Sequence, residues 1–168
     1  MSNDCRAKFY NIRNAFLTDL EAASAAVAAD PGLLNARSGI GETVLHWLAV
    51  ENVIPAVQAL IARGADTNPK NDFGATPLME AAMLGLADMC KLLLAHGADV
   101  RYVNPRGESP LFHAAKCRQS QTLEILLSHL KPDESLEPYF DEFELPLIFS
   151  TDDEVTRLLQ SRGLSFMH

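Results

Sequence analysis

His113 and Cys117 stand four residues apart, the spacing that brings two side chains together on one face of a helix. A cysteine beside a histidine can serve as a nucleophile, because the imidazole takes up the thiol proton. Such a site needs a third group to orient the imidazole, and no residue at a suitable spacing supplies it, so the pair is set aside as a catalytic site. His46, His96, His129 and His168 are scattered, and none has metal-ligand spacing to a cysteine or to another histidine. His96 and His129 each close an apolar run, where a cation suits the negative end of a helix. Cys5, Cys90 and Cys117 are an odd set without Cys-x-x-Cys spacing. No glycine-rich phosphate loop is present. The expectation is a chain that is not an enzyme, with no catalytic residue, no cofactor and no metal.

These residues are placed instead by a period. Thr76-Pro77-Leu78-Met79-Glu80-Ala81-Ala82 opens a phrase that closes with Leu92-Leu93-Leu94-Ala95-His96-Gly97-Ala98-Asp99. Thirty-three residues earlier it reads Thr43-Val44-Leu45-His46-Trp47-Leu48-Ala49, then Leu60-Ile61-Ala62-Arg63-Gly64-Ala65-Asp66. Thirty-three residues later it reads Ser109-Pro110-Leu111-Phe112-His113-Ala114-Ala115, then Leu126-Leu127-Ser128-His129-Leu130. Each copy predicts a short helix capped by Thr or Ser and a second helix with apolar residues at helical spacing; Gly64 and Gly97 follow the second helix in the first two copies, and Leu130-Lys131-Pro132 replaces Gly-Ala-Asp in the last. Glycines, including Gly39 and Gly41, supply the turn before the first helix. Leu78, Ala81 and Ala82 are expected to pack on Met89, Leu92 and Leu93, and Cys90, aligned with Val57, is a core filler.

The ends follow the register less closely. Asp19 is placed to cap a helix over Leu20–Ala29, which Asp30-Pro31-Gly32 stops. Leu145-Pro146-Leu147-Ile148 lies 36 residues after the matching phrase, yet Gly163 lies 99 residues after Gly64, which is three full periods. An insertion of about three residues is therefore cancelled by a shorter first helix. The chain reads as one domain, 1–168, with an N-terminal cap unit at 1–37 and repeats at 38–70, 71–103 and 104–136. A modified C-terminal cap unit with an acidic lead-in follows at 137–168.

A 33-residue period with this wording resembles the ankyrin repeat proteins. The resemblance is specific over about 38–131 and rests on register alone at both ends. It implies an all-α solenoid of about five helix-pair units, two of them caps. It also implies binding to another protein through the turn tips and the inner face of the first helices. Carried over position by position, the tips give Ile40, Glu42, Asp72, Phe73, Arg106 and Glu108. The ends of the first helices give Val50, Glu51, Met83, Leu84, Lys116 and Cys117. The links between units give Tyr102 and Val103, and Trp47, Glu80 and His113, which share one position of the first helices, read either as lining the groove or as semi-buried packing. In the family, the histidine of the repeated phrase bridges neighbouring turns; His46 matches it, while Met79 and Phe112 replace it with apolar side chains.

Composition narrows the partner. The chain has 168 residues and a net charge of −8, with 48% apolar and 21% charged residues. Nine acids between Pro132 and Thr156 meet no Lys or Arg, while the rest of the chain carries 14 basic and 13 acidic residues. The positive footprint of a nucleic-acid binder is absent. Apolar runs fall far short of the roughly 20 residues of a membrane span, and the first residues lack the apolar core of a leader peptide. A cytoplasmic, reduced protein that is monomeric when free is expected. The acidic stretch interleaves Tyr139 and Phe140 with Asp141 and Glu142. It reads either as a solvated loop or as an acidic lip that steers a basic partner. Phe73, Met83, Leu84, Tyr102 and Val103 read either as a partner-facing apolar patch or as side chains folded onto the next tip. The expected role is stoichiometric protein binding, as an inhibitor or regulator. Immunity against a basic toxin and bridging of two proteins are the alternatives, because small acidic arrays of this kind resemble bacterial neutralising proteins.

Overall fold

The structure is a computed structural model that describes residues 3–140, 145–149 and 153–164. The described residues fold as α-helices with two short 3-10 turns, and the only β-pairing among them is a bridge between Arg37 and Thr43. The chain divides into two compact units. The first holds the residues up to Pro77 together with Ala95–Ala98, and the second holds Leu78–Leu94 and the residues from Asp99 onward. This division runs through the repeat at 71–103 and not between repeats.

In the first unit, α1 (Asn3–Thr18) packs against α2 (Leu20–Ala29) and α3 (Val44–Val50), and α4 (Ile54–Ala62) packs against α2 and α3. A carboxylate oxygen of Asp19 accepts from Ala22 N at 2.9 Å and caps α2, as its sequence position predicts. The buried faces are Phe9, Ile12 and Phe16 on α1, Ala23 and Val27 on α2, Leu45, Leu48 and Ala49 on α3, and Val57 and Leu60 on α4. Alanines on these faces let helices approach closely while larger side chains fill the gaps.

In the second unit, which takes in α5 (Pro77–Met83) and α6 (Ala87–Ala95) apart from Pro77 and Ala95, the buried residues are Leu78, Met79, Ala81, Ala82, Met89, Cys90 and Leu93. Leu92, expected among them, is only half-buried. Next, α7 (Pro110–Lys116) packs on α8 (Ser120–Ser128) and on α9 (Leu145–Ile148), and α10 (Glu154–Ser161) closes on α8. Asp153 caps α10 by accepting from Thr156 N at 3.0 Å. The insertion of about three residues falls before α9. Residues 141–144, which include Asp141 and Glu142, lie outside the described residues.

The turns before α3, α5 and α7 are built alike. Ser38 Oγ accepts from the amides of Ile40 and Glu42 at 3.3 and 3.2 Å. Asn71 Oδ1 accepts from Phe73 and Ala75 at 3.0 Å each, and Asn104 Oδ1 accepts from Arg106 and Glu108 at 2.9 and 3.0 Å. A glycine in left-handed backbone completes each turn: Gly41 (φ 77), Gly74 (φ 75) and Gly107 (φ 79). Gly39 needs no such conformation, so Gly41 alone makes the first turn. Asp72 N donates to the Ile40 carbonyl at 3.0 Å and ties the first tip to the second.

Gly41 has a second reason to be glycine: a Cβ there would stand 2.2 Å from Asp72 Oδ1 and 2.9 Å from Asp72 N. Gly64, at φ 89, is equally left-handed but has open space around it. Gly64→Ala should therefore cost only the backbone penalty, about 1–2 kcal/mol. Gly41→Ala should cost about 1 kcal/mol or more beyond that, because the tip contact must open as well. Urea unfolding of the two variants checks this, and equal costs would show that the Asp72 contact does not constrain the tip.

Candidate functional site

The turn geometry places one side chain directly before each tip glycine. In the first unit these side chains are Ile40, 45% exposed, and Phe73, 52% exposed, with Asp72 exposed beside Phe73 and Glu42 half-buried and bonded to Ser38 Oγ at 3.0 Å. In the second unit the equivalent residue is Arg106, whose Nε and Nη2 donate to Glu108 Oε2 at 3.0 and 2.8 Å. Asn104 Nδ2 donates to the same oxygen at 2.8 Å, and His113 Nε2 lies 3.9 Å from it. Burial works against the Glu108 carboxylate, but Asn104, His113 and Arg106 outweigh it and hold its pKa below the usual range. Burial likewise outweighs Glu108 at His113 and lowers its pKa.

At the ends of the first helices, Met83 and Leu84 are 39% and 45% exposed, Glu51, Lys116 and Cys117 are exposed, and Val50 is half-buried. Lys116 Nζ lies 5.3 Å from the centroid of the Phe112 ring. Trp47, Glu80, Tyr102 and Val103 are half-buried. The expected apolar set is thus divided: Phe73 belongs to the first unit, and Met83, Leu84, Tyr102 and Val103 belong to the second.

A family model described as ankyrin repeats (3 copies) matches residues 14–104 and 45–137. The chain belongs to the ankyrin repeat family. Proteins of this family generally act as protein–protein interaction modules, not as enzymes. A comparison with curated proteins finds no significant match.

In this ankyrin repeat chain the histidine of the repeated phrase works as the family resemblance implies. His46 is fully buried; its Nδ1 accepts from Thr43 N at 3.1 Å and lies 2.9 Å from Thr43 Oγ1, and its Nε2 lies 3.1 Å from the Ala75 carbonyl. With Nδ1 as acceptor, Nε2 carries the proton and donates to Ala75. Met79 and Phe112, each 1% exposed, fill the equivalent positions with apolar bulk.

The acidic segment is partly consumed by the fold. Glu134 receives Arg101 Nε and Nη2 at 2.9 and 2.8 Å, Tyr139 Oη at 2.6 Å and Lys131 N at 3.1 Å. The Arg101 hydrogen bond, then those of Tyr139 and Lys131, hold its carboxyl down at about 2. Burial and the Glu134 hydrogen bond push the Tyr139 phenol up to about 12. Asp153 pairs with Arg118 at 3.2 Å. Tyr139 and Phe140, expected to offer rings to a partner, are 7% and 6% exposed, and Ser109 Oγ donates to the Tyr139 carbonyl. Register explains their change of use: Phe140 stands where Gly107 stands one period earlier, and its φ of −126° cannot complete the tip turn. A 3-10 turn over Glu137–Tyr139 replaces the tip, and the Tyr139 side chain is buried.

Cys117 and His113 are not joined by a hydrogen bond among the described residues, and burial pushes the Cys90 thiol up to about 12, which suits a core position. A cavity of about 30 Å³ in the first unit, lined by Leu34, Arg37, Thr43, Leu60 and Asp66 among others, holds one or two waters at most. One arrangement was not anticipated. The Arg13 guanidinium lies 5.0 Å from the Tyr10 ring centroid and 4.6 Å from that of Trp47. The available signal was register, since Arg13 precedes His46 by one period.

Burial lowers the His46 pKa to about 4 from 6.5, against the Ala75 hydrogen bond, which raises it. The unfolded chain therefore takes up this proton first, and stability falls as pH drops from about 6.5 to about 4, by roughly 3 kcal/mol at most. His46→Gln should be less stable near neutral pH and should show a shallower loss across that window. Urea unfolding at several pH values tests this; the difference between the two curves separates His46 from His113, and parallel curves would refute the assignment.

Proposed function

We propose that this ankyrin repeat protein binds another protein stoichiometrically and regulates or inhibits it, with the tips and the ends of the first helices as the contact surface. The observation that carries the reading is the exposure of Ile40 and Phe73 on two adjacent tips held rigid by their backbone hydrogen bonds. Large apolar side chains fixed on stiff turns lose little entropy on binding and make good anchors. Met83 and Leu84 offer similar anchors on the second unit.

The preferred partner carries basic residues around an apolar centre. Asp72 flanks Phe73, and Asp133, Glu137 and Glu154 are exposed on the second unit. Glu134 and Asp153 are engaged in ion pairs, so they contribute less to the outward field than their number suggests.

Affinity capture followed by mass spectrometry identifies the partner. With it in hand, replacing Ile40 and Phe73 together by Ala should lower affinity by about 10–100-fold, the usual range for anchor residues, while the melting temperature stays close to wild type. The association should also weaken as salt rises. Unchanged affinity in the double variant would remove the tips from the interface.

A further inference from the structure

Arg13 has an arrangement that packing alone does not require. Its guanidinium is stacked against two rings, those of Tyr10 and Trp47. Its Nε and Nη2 both donate to the amide oxygen of Asn14, at 3.1 and 2.8 Å. Among the described residues no carboxylate pairs with it, although Arg101, Arg106 and Arg118 all have acidic partners. In register it occupies the position of His46, Met79 and Phe112, all buried, yet it remains half-exposed and charged. The helix around it, Arg6 to Thr18, carries three cations and no acid.

The stack does two things to a guanidinium. It gives the weakly hydrated group an aromatic contact and leaves Nε and Nη2 able to donate, as they do to Asn14. It also holds a flexible side chain in one orientation, so that less entropy is lost when a ligand binds. A planar fork with a preset direction is what bidentate recognition of a carboxylate uses. The Asn14 oxygen sits where one oxygen of that carboxylate would sit, on the Nε–Nη2 edge.

We propose that Tyr10, Arg13 and Trp47 form a seat for a carboxylate of the protein partner, filled in the free protein by the Asn14 side chain. The seat deepens the reading of the protein as a binding module and rests on it for the existence of a partner. It gives that partner a second requirement, an acidic side chain, besides the basic residues expected to meet the acidic segment.

Trp47 is the only tryptophan, so its fluorescence reports on the seat directly. The full chain is titrated with a capped tetraglutamate peptide and, at matched ionic strength, with capped tetralysine. Tetraglutamate should give a saturable change with a half-point on the order of 1 mM, about −4 kcal/mol, and tetralysine none. Arg13→Gln should weaken the response at least tenfold, with Arg13→Lys between them, because an ammonium keeps the charge but loses the fork. Asn14→Asp, which supplies a carboxylate from within, should abolish the response while the protein melts as the wild type does; this variant decides the matter if Arg13→Gln fails to fold. No saturable change, or an equal change in Asn14→Asp, would overturn the seat. A null titration alongside a partner lost on changing Ile40 and Phe73 would overturn the seat alone, whereas a response without any captured partner would leave the seat and overturn the regulator.

Discussion

The first helices of the repeats are too short to exist alone. Those over Val44–Val50, Pro77–Met83 and Pro110–Lys116 have seven residues each, about two turns, well below the roughly 12–15 residues at which an isolated helix becomes marginal in water. Their stability has to come from burial of Leu45, Leu48, Leu78, Ala81, Leu111 and Ala114, all at 0–2% exposure, and from hydrogen bonds that satisfy their open ends. His46 and Ser109 meet the second demand. Each bonds at its own helix start and also reaches a carbonyl about thirty residues along the chain, Ala75 and Tyr139 respectively. A local cap and a longer-range tie are thus made by one side chain, so fraying of a helix end and loosening of the neighbouring turn are coupled.

The same constraint explains which parts of the fold were legible in the sequence. Helix starts, the boundaries of Leu20–Ala29 and Ile54–Ala62, and the left-handed Gly64 and Gly163 follow from residue types whose physics is local. The left-handed Asn52 and Arg118 were harder to see, because only register with Gly85 marks their positions and neither is glycine. Arg118 shows why the exception is tolerated: its guanidinium donates to the Ile148 carbonyl at 2.7 Å and pairs with Asp153, so its anchoring offsets the cost of its backbone. The acidic segment was the least legible. Its composition suggested a solvated loop or an acidic lip, but long-range partners decide its course: Arg101 on Glu134 and Arg118 on Asp153. No pattern within the segment itself names those arginines.

The candidate site was legible in position and not in chemistry, and the tips show the reason. Ile40, Phe73, Arg106 and Tyr139 occupy one position of the period, four side chains of unrelated character. At the first three, the turn is closed by Ser38, Asn71 or Asn104 and by a glycine, so the variable side chain takes no part in the hydrogen bonds that close it. It is free to be apolar, as in Ile40 and Phe73, or to be occupied by its own neighbour, as Arg106 is by Glu108. At the fourth, Phe140 replaces the glycine, the turn takes another form, and the freed position becomes core. Where one Ser or Asn side chain and a glycine hold the loop, the chemistry of the variable position is decoupled from the loop's shape; where the glycine is lost, that side chain is drafted into the core. That decoupling makes the fold readable from a period while the partner's chemistry must be read residue by residue, from what each tip and each stacked arginine leaves facing solvent.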